Sequence, residues 1–432
     1  MLRSLKLQNL GPADRMDFNP SKRLNVITGD NGLGKSFLLD LAWWAVTRTW
    51  SGLPVQPHLD ATAPARVDIA FAAKRKMAEL AVTYERGEQA WRFPKGQPGQ
   101  PGLVVYARVD GDFAVWDSNR RFGDRGETES GIPKGLVFTR DQIWNGLLLN
   151  DKPICNGLLA DWTTWIQTNS WEAAALERAL ERLSPTEDQP VKAGRPTRTD
   201  LLDSRLIPTL KMPYGSEIQV THASAGMKRV IALAYLLVWT WREHLEVSRI
   251  AGRETAERML VIIDEVEAHL HPKWQRVILS AIVDALSQLT TDHHGNSPDF
   301  EAPKIQYLIA THSPLVLASL EPIFDPSRDA LFELQLEQEG DAQARVLLTE
   351  ADFRRHGGAE KWLVSDASGL KSSRSLPAET VIEAAAALVG NGAPPSAQQV
   401  AAMEARLSDV LPDIDPFWTR WRALTAPGRA GS

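Results

Sequence analysis

Residues 29–36 read GDNGLGKS, and the reading of this stretch decides the fold. Gly29, Gly32 and Gly34 let the backbone wrap tightly, so that amide hydrogens converge on phosphate oxygens; Asp30 and Asn31 complete the loop. Lys35 is placed to reach the β and γ phosphates. The hydroxyl of Ser36 is placed to ligate Mg2+ at the start of the next helix, whose N-terminal amides also favour phosphate. The context agrees, because an apolar strand, LNVIT (24–28), precedes the cradle and a helical run, SFLLDLAWWAVTRTW (36–50), follows it. ATP with Mg2+ is the expected cofactor pair.

Working outward, a second element supports the first. MLVIIDE (259–265) is an apolar strand ending in two carboxylates. In a phosphate-loop protein Asp264 holds magnesium and Glu265 orients or deprotonates the attacking water. YLIATHSP (307–314) is another apolar strand, ending at Thr311-His312-Ser313. His312 is either structural or a hydrogen-bond donor to a terminal phosphate.

Composition sets limits. The chain has 432 residues, 43% hydrophobic and 24% charged, which is the profile of a globular protein large enough for one large core or two moderate ones. A net charge of −6 argues against a basic nucleic-acid coat while leaving room for a local basic groove. The single cysteine, Cys155, excludes an intrachain disulfide and a cysteine-rich metal site, which fits a reducing cytoplasm. The N-terminus alternates like a strand and lacks an apolar signal core, and the run VIALAYLLVWTW (230–241) is too short to span a bilayer. The expectation is a cytoplasmic protein with no membrane segment.

Alternation predicts strands in RVDIAFAA and ELAVTYE, and a hairpin over 102–117 turning at Asp110-Gly111. Residues 121–135 read as a polar loop and 184–198 as a loose break, with a helix predicted over 170–183. Further helices are predicted around 225–244, over 272–289 and over 379–389. Strands are predicted at 305–310, 331–337 and 344–350, and a linker at 390–398 leads to a short helical piece. No heptad run fills the gap of roughly 180 residues between cradle and carboxylates, so a coiled-coil arm is missing.

In this order the pieces GDNGLGKS, IIDE and THSP resemble the ABC-type AAA family ATPases of the RecF, SMC and overcoming-lysogenization-defect group. THASAGMKRVIALAYLL (221–237) resembles the ABC signature segment, with Ser224 and Gly226 at the start of a helix, although it departs from the common LSGGQ wording. EAHLHPKWQ (267–275) also matches this branch. The resemblance covers 1–50 and 215–320 well and the middle poorly.

It implies an α/β phosphate-loop head with N-terminal antiparallel strands, a mixed helical insertion and a small C-terminal α/β extension. The expected division is a first ATPase lobe (1–140), an insertion (141–214), a second lobe (215–350) and an extension for a partner (351–432). It also implies a mechanism in trans: two heads close on two ATP molecules, with Ser224 and Gly226 of one contacting the γ phosphate held by Lys35 of the other. Hydrolysis through Glu265 then reopens the homodimer or higher homo-oligomer. The family expects a glutamine that contacts magnesium; Gln142 is the candidate, with an ordinary surface glutamine as the other reading.

Competing sites are weaker. Glu267, His269 and His271 alternate as metal ligands sometimes do, but the resemblance makes this the segment that meets the opposite head. His293-His294 reads as a solvated loop. A built-in nuclease would need Glu350 with Asp413 and Asp415, and the latter pair lies between prolines without a preceding strand. Lys371, Arg374 and Ser375 precede the 379–389 helix as solvated surface, a docking site or a nucleic-acid contact. Trp362, Trp418 and Trp421 are core or a partner face.

Two functions follow. The first is a head-only ATPase that licenses a separate effector, such as a nuclease, in bacterial anti-phage defence. The second is a RecF-like clamp closing on duplex DNA. A transporter subunit is disfavoured by the signature wording and the large insertion.

Overall fold

The computed structural model describes all residues except 59–62, 73–77, 95–101, 121–134, 186–189, 294–300, 339–343, 366–371, 391–394 and 426–432. The chain opens with β1 (Leu2–Leu10), β2 (Ala13–Phe18) and β3 (Leu24–Gly29), then helix α1 (Lys35–Thr47). Six strands follow: β4 (Arg66–Phe71), β5 (Ala78–Glu85), β6 (Ala90–Arg92), β7 (Leu103–Ala107), β8 (Phe113–Asp117) and β9 (Leu136–Phe138). The 141–214 region begins within α2 (Arg140–Asn145) and holds the hairpin β10 (Leu147–Leu149) and β11 (Lys152–Cys155), and the helices α3 (Leu158–Thr168) and α4 (Trp171–Arg182). A small antiparallel sheet then forms from β12 (Lys192–Ala193), β13 (Thr209–Lys211) and β14 (Glu217–Gln219).

The long helix α5 (Ala225–Ala251) leads to β15 (Arg258–Ile263), α6 (Pro272–Gln275), α7 (Ile278–Asp292), β16 (Lys304–Ala310) and α8 (Pro314–Leu320). Then come β17 (Ala330–Glu337), β18 (Arg345–Ala351) and α9 (Ala359–Leu363), and finally α10 (Leu376–Gly390), α11 (Ala397–Val410) and α12 (Phe417–Thr425).

Two sheets organise the head. One is antiparallel, in the order β2-β1-β4-β5-β6. The other has eight strands in the order β18-β17-β3-β16-β15-β7-β8-β9, with β17, β3, β16, β15 and β7 mutually parallel. Helix α1 is buried on nearly all sides, as its LLDLAWWAVT composition demands, because it lies between the two sheets. Alternation then divides the large sheet. Val104, Tyr106, Leu260, Ile262, Leu308 and Ala310 join the α1 core, while their neighbours Val105, Val261, Ile263 and Ile309 are buried away from it.

Several expectations need correction. A strand, β2, stands between the two expected in residues 2–28, and it escapes notice because only Met16 and Phe18 of ADRMDF are buried, on a sheet edge. The 272–289 helix is two helices, parted at Val277. The tail beyond the linker holds two helices rather than one short piece.

The chain divides into two compact units, Met1–Trp362 and Leu363–Ser432. In the second unit α10, α11 and α12 pack around Ala385, Met403, Leu407, Trp418 and Trp421. Asp415 is held there by the Arg374 guanidinium at 2.8 and 3.0 Å. That pairing keeps its carboxyl below the usual range and gives it a structural job. Lys371 and the 121–134 stretch lie outside the described residues. Trp362, in the first unit, is buried and donates its indole N–H to Glu321 at 2.8 Å.

Candidate nucleotide site

Three adjacent parallel strands, β3, β16 and β15, end at one edge of the large sheet, and their carboxyl ends carry the cradle, His312 and the Asp264-Glu265 pair. In open α/β sheets this edge is where ligands bind. The cradle loop enters α1 through Gly34, whose φ of 102° is in the left-handed region. Gly29, at φ 136°, has no room for a side chain, since a Cβ there would lie 2.3 Å from the Leu334 carbonyl oxygen.

Lys35 folds back onto the loop, its ammonium donating to the Gly29 carbonyl at 2.7 Å and the Asp30 carbonyl at 3.1 Å. Burial lowers its pKa, opposed by the negative charges of Glu265, Asp264, Glu267 and Asp30. Asp264 is buried, and burial raises its pKa; a hydrogen bond from Ser36 opposes that shift while the Glu265 charge adds to it. One Asp264 oxygen, Oδ1, is buried with no hydrogen-bond partner.

These observations test the fit of ATP and Mg2+. A buried carboxylate with an orphaned oxygen, beside a hydroxyl on the first turn of α1, is a donor set of the kind magnesium takes, since it binds few protein oxygens and leaves its other positions to phosphate and water. Ser36 and Asp264 would hold the ion, and Lys35 with the loop amides would hold the phosphates. When bound, the ion offsets charge on the transferred phosphoryl group. The residues fit.

Glu265 carries a backbone φ of 46°, uncommon for a residue with a side chain. Arg229, on α5, accounts for its retention: the guanidinium donates to the carbonyls of Asp264 at 3.2 Å, Glu265 at 3.1 Å and Val109 at 3.0 Å. Burial lowers the pKa of Arg229, with Asp264, Glu267 and Glu265 pulling the other way. No motif marked this residue. Its partners lie 35 or more positions away in the chain, and only its place on the signature helix hinted at a role.

His312 meets two carboxylates. Its Nδ1 lies 3.6 Å from Glu265 and 3.2 Å from Glu267, and its main-chain N–H donates to Glu267 at 2.7 Å. Glu267 is therefore an anchor for the histidine. His269 adopts φ 62°, and His271 caps α6, accepting the Lys273 N–H at 3.2 Å, so the three alternating residues serve three different ends.

Ser224 is the exposed N-cap of α5 and accepts the Met227 N–H at 3.3 Å. Gly226 is fitted against the neighbouring loop, because a Cβ there would lie 2.7 Å from the His269 carbonyl oxygen. The Gln142 side-chain oxygen accepts the Thr139 N–H at 2.9 Å, closing a capping box on α2. His293 is no solvated loop residue. It stacks on Trp171 at 4.3 Å, and its carbonyl accepts from the Trp241 indole; His294 lies outside the described residues. Cys155 is buried against the Tyr235 hydroxyl at 3.2 Å, and burial pushes its thiol up to about 11.

Comparison with known proteins agrees with this geometry. Residues 4–141 match a family model described as "AAA domain", and residues 158–318 match one described as "AAA domain, putative AbiEii toxin, Type IV TA system". Both of the matching family models describe an AAA domain. Among curated proteins it is similar to the "Retron Vc95 probable ATPase" of Vibrio cholerae serotype O1 biovar El Tor, with 31% identity over 124 residues, 29% of this chain and 20% of that protein. It is also similar to the "Septu protein PtuA" of Bacillus mycoides (strain KBAB4), with 32% identity over 97 residues, 22% of this chain and 10% of that one. The matched stretches thus span a fifth or less of those relatives. Among solved structures, the SMC head domain from Thermotoga maritima aligns over 82% of this chain and 99% of its own at 14% identity and a TM-score of 0.39. An SmcHead bound to the C-winged helix domain of ScpA aligns over 81% and 98% at 13% identity and 0.40.

Proposed function

We propose that this chain hydrolyses ATP to ADP and phosphate, and that ATP closes two copies face to face to license a separate effector, a nuclease, in bacterial anti-phage defence. The observation that carries the reading is the convergence of Lys35, Ser36, Asp264, Glu265 and His312 at one sheet edge, with Ser224 left exposed at the head of α5.

Each residue has a task its position suits. Lys35 exchanges its two carbonyl contacts for phosphate. Glu265, held in its strained conformation by Arg229, orients water and accepts its proton. His312, steadied by Glu267, donates to a terminal phosphate. Ser224 and the amides at the head of α5 meet the second copy's nucleotide, so closure depends on ATP and opening follows hydrolysis. The defence role rests on the family resemblance and on relatives named for a retron and a Septu system. The workplace is the cytoplasm.

The test is purification of tagged Glu265→Gln protein from its native host in ATP and Mg2+, followed by mass spectrometry. A stoichiometric nuclease or other toxic enzyme supports the reading. Pairing with duplex DNA alone contradicts it in favour of a DNA clamp.

A further inference from the structure

A second site lies beside the nucleotide edge, against the α5 side of the strand end that carries Asp264 and Glu265. A cavity of about 130 Å³ opens between α2, α5 and the β7–β8 hairpin, walled by Phe113, Ile143, Leu233, Leu236, Leu270 and Ile278. Four cations, Arg108, Arg140, Lys228 and Arg229, and two carboxylates, Asp110 and Asp112, stand at its lining, a net positive set in which Arg140 and Lys228 have no ion-pair partner among the described residues. The volume decides what fits. Ligand pockets for cofactor-sized molecules run to about 300 Å³ or more, whereas a cavity of roughly 150 Å³ takes one benzene ring. This one suits a single apolar side chain flanked by negative charge.

The same surface presents such a group. In the segment TDLLDSR (199–205), Leu201 and Leu202 are 94% and 97% exposed, the most solvated large apolar side chains of the described residues. Their loop is built to hold that pose. Arg198 donates to the carbonyls of Asp200, Leu201 and Asp203, and the Asp200 carboxylate accepts the N–H groups of Leu202 and Asp203. Asp203 is committed to Arg205, while Asp200 has no ion-pair partner among the described residues. Rigid display of apolar groups saves the ordering cost of binding.

Knob and socket are also neighbours. Arg205 reaches across to the Asn145 side chain at 3.0 Å, and Asn145 adjoins Trp144 on the cavity wall. A two-fold pairing that sets one copy's loop in the other's cavity therefore forms the contact twice over.

We propose that the Asp200-Leu201-Leu202 loop of one copy docks in this cavity on a second copy, with Leu202 as the buried anchor and Asp200 facing Lys228 and Arg140. The contact needs no nucleotide and stands whether or not the effector is a nuclease; its socket adjoins the head of α5, the region assigned above to the ATP-dependent face. It is also placed to affect turnover, because Arg229 lines the cavity and holds the carbonyls of Asp264 and Glu265.

Disulfide trapping in the full chain tests this without ATP turnover. Leu202→Cys protein is mixed with Leu233→Cys protein under mild oxidation; native Cys155 is buried and its raised pKa keeps it a thiol. The expected result is an interchain disulfide forming at least tenfold faster than with an exposed control, Glu246→Cys, in place of Leu233→Cys. A mixture that crosslinks no faster than the control overturns the proposal. Sedimentation gives an independent readout: Leu202→Asp, at a fully solvated position, is expected to weaken nucleotide-free self-association at least tenfold. Unchanged self-association, or a wild-type chain monomeric at every concentration reached, overturns it too.

Discussion

The main-chain N–H of His312 donates to Glu267 at 2.7 Å, while the Nδ1 of the same histidine lies 3.2 Å from the same carboxylate oxygen. Glu267 thereby fixes both the backbone and the ring of the residue that ends β16. Its side chain is only 4% exposed, so the carboxylate serves the histidine and not the solvent. Replacing Glu267 with Gln keeps an acceptor for the N–H, and replacing it with Ala leaves a part-buried donor without its partner. The Ala variant is expected to lose about 1–3 kcal/mol of stability, and the Gln variant less, with both slowing ATP turnover. Chemical denaturation alongside a phosphate-release assay separates the two effects.

Glu265 is the residue whose loss should spare binding and stop chemistry. Glu265→Gln is expected to bind ATP within a few-fold of wild type while turnover falls by about 10²–10⁴. Turnover at the original rate would remove it from the role of general base.

Asp264 sets stability against function. Burial raises its pKa in the free protein, so this group's charged form opposes folding. The sign follows: the ordinary value lies near 3.8 and the folded value above it, so the free protein is relatively more stable on the acid side. That share is lost as pH rises from about 3.8 through the raised value. Asp264→Asn removes the charge. It is expected to stabilise the nucleotide-free fold by about 0.5–2 kcal/mol and to abolish Mg2+-dependent turnover. Thermal melts with and without ATP and Mg2+ check both halves.

Gly226 tests how closely α5 meets the loop after β15. A methyl group there would come to 2.7 Å from the His269 carbonyl oxygen, a contact backbone cannot easily yield. Gly226→Ala is expected to destabilise the protein by about 1–3 kcal/mol and to impair ATP-dependent pairing. An unshifted melting curve contradicts the close approach.

Much of this architecture was legible in the chain because its signals are local. GDNGLGKS, the apolar run to Asp264-Glu265 and the run to His312 each announce a strand end, and the parallel order β3-β16-β15 then brings them together. Where contacts are distant, the pattern was silent. Arg229 acts on carbonyls 35 and 36 positions away, and Glu267 acts on a residue 45 away, so neither carries a spacing signature. The break at Val277 was hidden because its apolar periodicity continues through it. Gln142 follows the expected strand, and its Thr139-x-x-Gln142 spacing is also that of a capping box, which the structure contains.

The central claim is that ATP closes two heads through the signature helix. Sedimentation velocity of Glu265→Gln protein, with and without ATP and Mg2+, measures it directly when repeated with Ser224→Arg added. The account predicts nucleotide-dependent association of Glu265→Gln that the added Ser224→Arg abolishes while ATP binding persists. Association indifferent to nucleotide, or unaffected by Ser224→Arg, would contradict it.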